Sequence, residues 1–116
     1  HEGPQNIRMG ENPNSLQEGM IMSNEPGLYR TNQYGIRTEN LIHVIKAEKT
    51  EFGEFLKFET VTLFPIDKEL IDVEMMSDED IDWLNNYHKR VYDTLAQKLD
   101  ENEREWLSRK CAKLKR

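Results

Sequence analysis

Two carboxylates sit where a chain has little reason to keep a charge. Glu25, in "SNEPGLYR", lies just behind the apolar run Met20-Ile21-Met22. Glu39, in "RTENLIHV", comes shortly before Leu41-Ile42-His43-Val44. Both runs read as buried strands, and an acidic group at the mouth of such a strand is costly unless it is paired or holds a metal. Oxygen ligands on neighbouring strands are what a hard divalent cation takes. Two such cations about 3.5–4 Å apart can activate a water and polarise a carbonyl. The same residues also allow plain ion pairs, Glu25 with Arg37 or Arg30 and Glu39 with another basic group, so spacing leaves both readings open.

The histidines divide in the same way. His1 opens a Gly/Pro loop, "HEGP", where its type and place allow either a functional role or a merely exposed residue. His43 is flanked by Ile42 and Val44 and reads as structural. His88 falls on a helical stripe and reads as a packed or hydrogen-bonded residue. No HExxH, P-loop, GxSxG or CxxC pattern is present.

The elements that must position these groups follow from periodicity. Residues 1–19 are rich in Gly, Pro, Asn and Glu and read as loop, with a short extended piece around Ile7-Arg8. Three strands are expected next: "GMIMSNEPGLYR" running into a turn at Pro26-Gly27, "GIRTENLIHVIKAE", and "FLKFETVTLFPID" ending near Pro65. The last two, joined by a short loop at Gly53, are expected to form an antiparallel hairpin. The character then changes to helix. Ile81, Leu84, His88, Val91 and Leu95 fall on one stripe, widened by Trp83, Tyr87 and Leu99. Ser77 is the expected N-cap, with Asp78, Glu79 and Asp80 loading the first turn. A second helix is expected after Asp100, with Asp100 and Glu103 as a capping box and Trp106, Leu107, Cys111 and Leu114 as its apolar face. The fold class is therefore α+β, antiparallel strands followed by two helices.

Bulk properties bound the possibilities. The chain has 116 residues, 36% hydrophobic and 33% charged, with a net charge of −6. That length and composition fit one small domain or part of a larger one. The acidic balance argues against broad binding to nucleic acid or anionic membrane. The basic run from Arg104 to Arg116 suits the negative end of a solvated C-terminal helix. One cysteine, Cys111, excludes an intrachain disulfide and is compatible with a reducing, cytoplasmic setting. No apolar run reaches the roughly 20 residues of a membrane span.

The motifs "HEGP", "EGMIMSNEPGLY", "GIRTENLIHV" and "FETVTLFPID", in this order, resemble the C-terminal part of the catalytic domain of Xaa-Pro aminopeptidase (aminopeptidase P), a pita-bread metallopeptidase. The resemblance assigns residues 1–67 to the second half of that catalytic domain and residues 68–116 to the helical extension of its larger forms. It implies that Glu25 is a metal ligand that also takes the proton from the attacking water. By the same resemblance Glu39 bridges two metal ions, usually manganese and sometimes cobalt or zinc. His1 would steady the scissile carbonyl, and Arg37 would support the site. The substrates implied are peptides with proline in the second position.

The family site uses five ligands, two aspartates and a histidine besides the two glutamates. Residues 1–24 contain no aspartate. The 116 residues alone are therefore expected to lack tight metal binding and peptidase activity, and their uncovered strands to favour self-association. The resemblance further implies a homodimer through the C-terminal helices, with Trp83, Tyr87, Tyr92 and Trp106 as anchors. The alternatives are a pita-bread relative acting as a non-catalytic scaffold and a prolidase-type dipeptidase; "HEGP" is closer to aminopeptidase P than to prolidase.

Overall fold

Strands fill the first part of the chain and helices the second. The structure, a computed structural model, describes residues 3–116. Two units are present, the first ending at Thr62 and the second starting at Leu63.

The first unit contains five short strands where three were expected. They are β1 (Ile21–Asn24), β2 (Gly27–Arg30), β3 (Tyr34–Arg37), β4 (Asn40–Thr50) and β5 (Gly53–Thr60). The first two expected strands are each split, one at Glu25-Pro26 and the other at Thr38-Glu39. Pro26 accounts for the break, because it has no N–H to give to a ladder. The chain does not turn at Pro26-Gly27. It runs on through β2 and turns at residues 31–33, where Gln33 N–H donates to the Arg30 carbonyl at 3.0 Å and Asn32 takes a φ of 57°. Asn is among the few residues that adopt this left-handed conformation readily. The third strand is shorter than expected and ends at Thr60 rather than near Pro65. No strand forms around Ile7-Arg8.

All pairing is antiparallel. One sheet has the order β1-β4-β5, and β2 pairs with β3 in a separate ribbon. The β4–β5 hairpin forms as expected, turning through Glu51-Phe52 into Gly53, whose φ of 134° is open to glycine. Between Lys46 and Lys49 the register slips by one residue, a bulge on β4. On β4, Ile42 and Val44 are buried while Leu41 is exposed. They pack with Met22, Leu16 and Met20 into a small core. The β2–β3 ribbon is exposed along its whole length. Tyr29 lies across its cross-strand partner Gly35: a Cβ added there would sit 2.7 Å from the Tyr29 ring.

The second unit holds α1 (Asp78–Leu95) and α2 (Glu101–Lys110), each preceded by a short 3-10 turn. Both caps are the expected ones. Ser77 and Asp80 form a capping box on α1, and Asp100 and Glu103 form one on α2. The α1 stripe buries Ile81, Leu84, Tyr87, His88 and Val91. Leu84, Tyr87, Val91 and Leu107 make the core, with Leu63, Ile66, Ile71, Leu99, Cys111 and Leu114 packed around it. Trp83 departs from the expectation: it is 52% exposed and stacks on Tyr87 from outside. Asn85 fastens the chain end, accepting from Leu114 N–H at 2.8 Å and donating to the Leu114 carbonyl at 3.1 Å. Arg104 donates to the Ala96 and Leu99 carbonyls, satisfying acceptors left open beyond α1.

Candidate metal centre on the strand break

The break between β1 and β2 lies opposite the break between β3 and β4. Asn24 pairs with Asn40 on one side of it, and Gly27 pairs with Arg37 on the other. Both ladders keep one common register, so Glu25 falls opposite Glu39 and Pro26 opposite Thr38. Thr38 N–H donates to the Pro26 carbonyl at 3.2 Å, which keeps the two strands together through the gap. The sequence therefore sets two acidic residues face to face on opposing strands. Like charges in that position repel and need a cation to be stable.

Arg37 is the cation that stands there. Its Nη1 lies 3.9 Å from Glu25 Oε1, and its Nε lies 3.4 Å from Glu39 Oε2. The ion-pair reading of the sequence offered Glu25 either Arg37 or Arg30 and gave Glu39 a different partner; the structure gives one guanidinium to both. The side chain of Glu25 is 21% exposed, and those of Arg37 and Glu39 are roughly half exposed. Exposed pairs of this kind contribute about 0–1 kcal/mol each. Fold stability alone is a weak reason for two opposed carboxylates.

Ser23 belongs to the same cluster and was not anticipated. Its Oγ donates to Glu25 Oε2 at 2.8 Å. The available signal was spacing: Ser23 and Glu25, like Arg37 and Glu39, are two residues apart, which places each pair on one side of a strand. Asn6, Ile7, Arg8, Ser23, Asn24, Glu25 and Pro26 line an open groove of about 490 Å³ on the Glu25 side. That size is within the range of small-ligand sites.

The donor chemistry fits a hard divalent cation as part of a site. Glu25 and Glu39 offer carboxylate oxygens from two facing breaks between strands. Among the described residues no third histidine, cysteine, aspartate or glutamate joins them in a cluster of metal-binding size. His43 is half-buried on β4, and His88 is buried on α1. The sequence reading of His1 lies outside the described residues.

Comparisons with known proteins show the family. Residues 1–46 match metallopeptidase family M24, and residues 54–114, more than half of the chain, match the C-terminal region of peptidase M24. Aminopeptidase P2 of Arabidopsis thaliana is 47% identical over 92% of this chain and 16% of its own length. A probable Xaa-Pro aminopeptidase P of Coprinopsis cinerea is 42% identical over 94% of this chain and 19% of its own length. The crystal structure of an X-prolyl aminopeptidase from Caenorhabditis elegans, described as a cytosolic enzyme with a di-nuclear active site, superposes with a TM-score of 0.82. It is 32% identical and matches 98% of this chain and 19% of its own. The chain thus spans between a sixth and a fifth of the length of these relatives. Matched by both of these family models, the chain belongs to metallopeptidase family M24.

Proposed function

We propose that this chain is the C-terminal part of an Xaa-Pro aminopeptidase and supplies two of the ligands of a two-metal hydrolytic site. The observation that carries the reading is the opposition of Glu25 and Glu39 across one strand register, with Arg37 against both. A pair of divalent ions, manganese by the family resemblance, would supply Lewis acidity and a nucleophilic water near neutral pH. The residues of this chain do the rest of their share by position. Glu25, oriented by Ser23 Oγ, accepts the proton of the attacking water. Glu39, paired with Arg37, would offer its carboxylate to the ions. His1 steadies the scissile carbonyl of a peptide with proline in second place. The remaining ligands come from elsewhere in the whole protein, and the 116 residues alone do not hydrolyse peptides. A cytoplasmic location goes with this reading; no helix of the described residues is long and apolar enough to cross a membrane.

The helical unit serves as a homodimer contact in the same proposal. Trp83 and Trp106 are 52% and 40% exposed, and such residues anchor interfaces. Tyr87, by contrast, is spent on the core. Trp106→Ala should lower the mass of the whole protein in solution; an unchanged mass counts against the contact.

The test of the catalytic reading is release of the N-terminal residue from an Xaa-Pro-Pro peptide with manganese added. The 116-residue chain and a version extended upstream would be compared, each beside a Glu39→Gln control. Activity in the extended chain alone, abolished by Glu39→Gln, is the expected outcome. An extended chain that stays silent with manganese, cobalt and zinc overturns the reading in favour of a scaffold.

A further inference from the structure

Tyr87 and His88 grip the segment leading to α1 at alternate residues. Tyr87 Oη donates to the Phe64 carbonyl at 2.9 Å and accepts from Phe64 N–H at 3.4 Å. His88 Nε2 accepts the Ile66 N–H at 3.0 Å. The next alternate residue, Lys68, sends its ammonium to the carbonyls of Arg109 and Ala112 at the end of α2. The segment is thus hung from both helices at residues 64, 66 and 68.

The His88 attachment is the one that can titrate near neutrality. Its side chain is fully buried, and the Tyr87 ring packs against it at 5.8 Å. Accepting a backbone N–H requires Nε2 to carry no proton, so the ring is neutral with its proton on Nδ1. That Nδ1 is buried and has no hydrogen-bond partner among the described residues. We propose that His88 is a proton-operated latch: neutral, it holds the Ile66 backbone on α1; protonated, it releases residues 64–68.

The groups around the ring agree with this. From the segment, the charge acting on His88 is the Lys68 ammonium. From the end of α2, the Cys111 thiol lies near Lys68 and Tyr87, and burial pushes its pKa up, so it is neutral. On α1 itself, burial likewise pushes the Tyr87 phenol up, and the Arg90 charge acts on that phenol. Among the described residues no carboxylate pairs with the ring. Burial, then Lys68, lowers the His88 pKa below its ordinary value. A second proton would also turn Nε2 into a donor aimed at a donor. The sign follows: with the latched pKa depressed, the open form binds the proton better. The latch is intact above about pH 6.5 and weakens as pH falls below it.

Amide hydrogen exchange on the whole protein tests this. Exchange of the Ile66 amide, corrected for its intrinsic pH dependence, would be compared with that of Val44 on β4 between pH 7.5 and 5.5. The expected result is a loss of protection of up to about tenfold at Ile66 in acid, with Val44 unchanged. His88→Gln should abolish the pH dependence, since the amide oxygen can accept the Ile66 N–H without titrating. No loss in the wild type, or an equal loss in His88→Gln, overturns the proposal. If His88→Gln does not fold, imidazole NMR of the wild type decides. A ring with its proton on Nδ1 that titrates below the ordinary value supports the latch. A ring protonated on Nε2, or titrating at or above the ordinary value, overturns it.

Discussion

The strand unit and the helical unit treat their apolar residues in opposite ways. In the helical unit, Leu84, Tyr87, Val91 and Leu107 are at most 5% exposed and are ringed by nine further hydrophobic neighbours. In the strand unit, Leu28, Tyr29, Tyr34 and Ile36 are 44–64% exposed, and the buried cluster is three residues with two neighbours. The two helices close their own core. The sheet carries the opposed carboxylates and leaves much of its apolar surface open. Chemistry and packing are thus separated along the chain: the groups able to hold a cation lie where the local core is thinnest. A site built there draws its rigidity from strand register and hydrogen bonds more than from burial.

That contrast can be broken by mutation, starting with the largest effect. Leu107→Ala should cost about 2–5 kcal/mol, because it empties a filled core. Leu28→Ala on β2 should change stability by no more than about 0.5 kcal/mol. Urea unfolding of both variants checks this, and similar losses would show that β2 is packed in solution. Ser23→Ala comes next. It should weaken metal binding by the whole protein about 10–100-fold, as the loss of a group that orients a ligand does. Titration with manganese would show it, while the melting temperature without metal stays put. Undiminished affinity would make the Ser23–Glu25 bond incidental. Ser77→Ala is the smallest, about 1 kcal/mol from the lost α1 cap, confined to the helical unit. Calorimetry checks it, and an unchanged melting temperature would make the cap incidental.

Legibility in the sequence follows the range of the interactions involved. Both helix caps could be read, because a capping box joins residues three positions apart. The α1 stripe was legible for the same reason, except at Trp83, where only the surroundings decide whether a stripe-edge residue is covered. The β4–β5 hairpin was marked by Gly53. The β2–β3 ribbon was missed, because its turn rests on one Asn in a left-handed conformation and on no Asn-Gly or Gly-Gly pair. The exposure of that ribbon was not legible either, since periodicity identifies an apolar face and not what lies over it. At the site, Glu25, Arg37 and Glu39 were all picked out, and the structure brings them together. Their face-to-face arrangement required the register, a relation between strands that no local pattern contains. The sharing of Arg37 by both carboxylates follows from that register.

The measurement that tests the central claim most directly is a count of bound metal in the whole protein, equilibrated with manganese and freed of excess. If Glu25 and Glu39 act together on one two-metal site, the wild type should hold about two equivalents and Glu39→Gln fewer than one, with unchanged circular dichroism. Retention of both equivalents by a folded Glu39→Gln protein would contradict the account and leave the Arg37 cluster as a set of surface ion pairs.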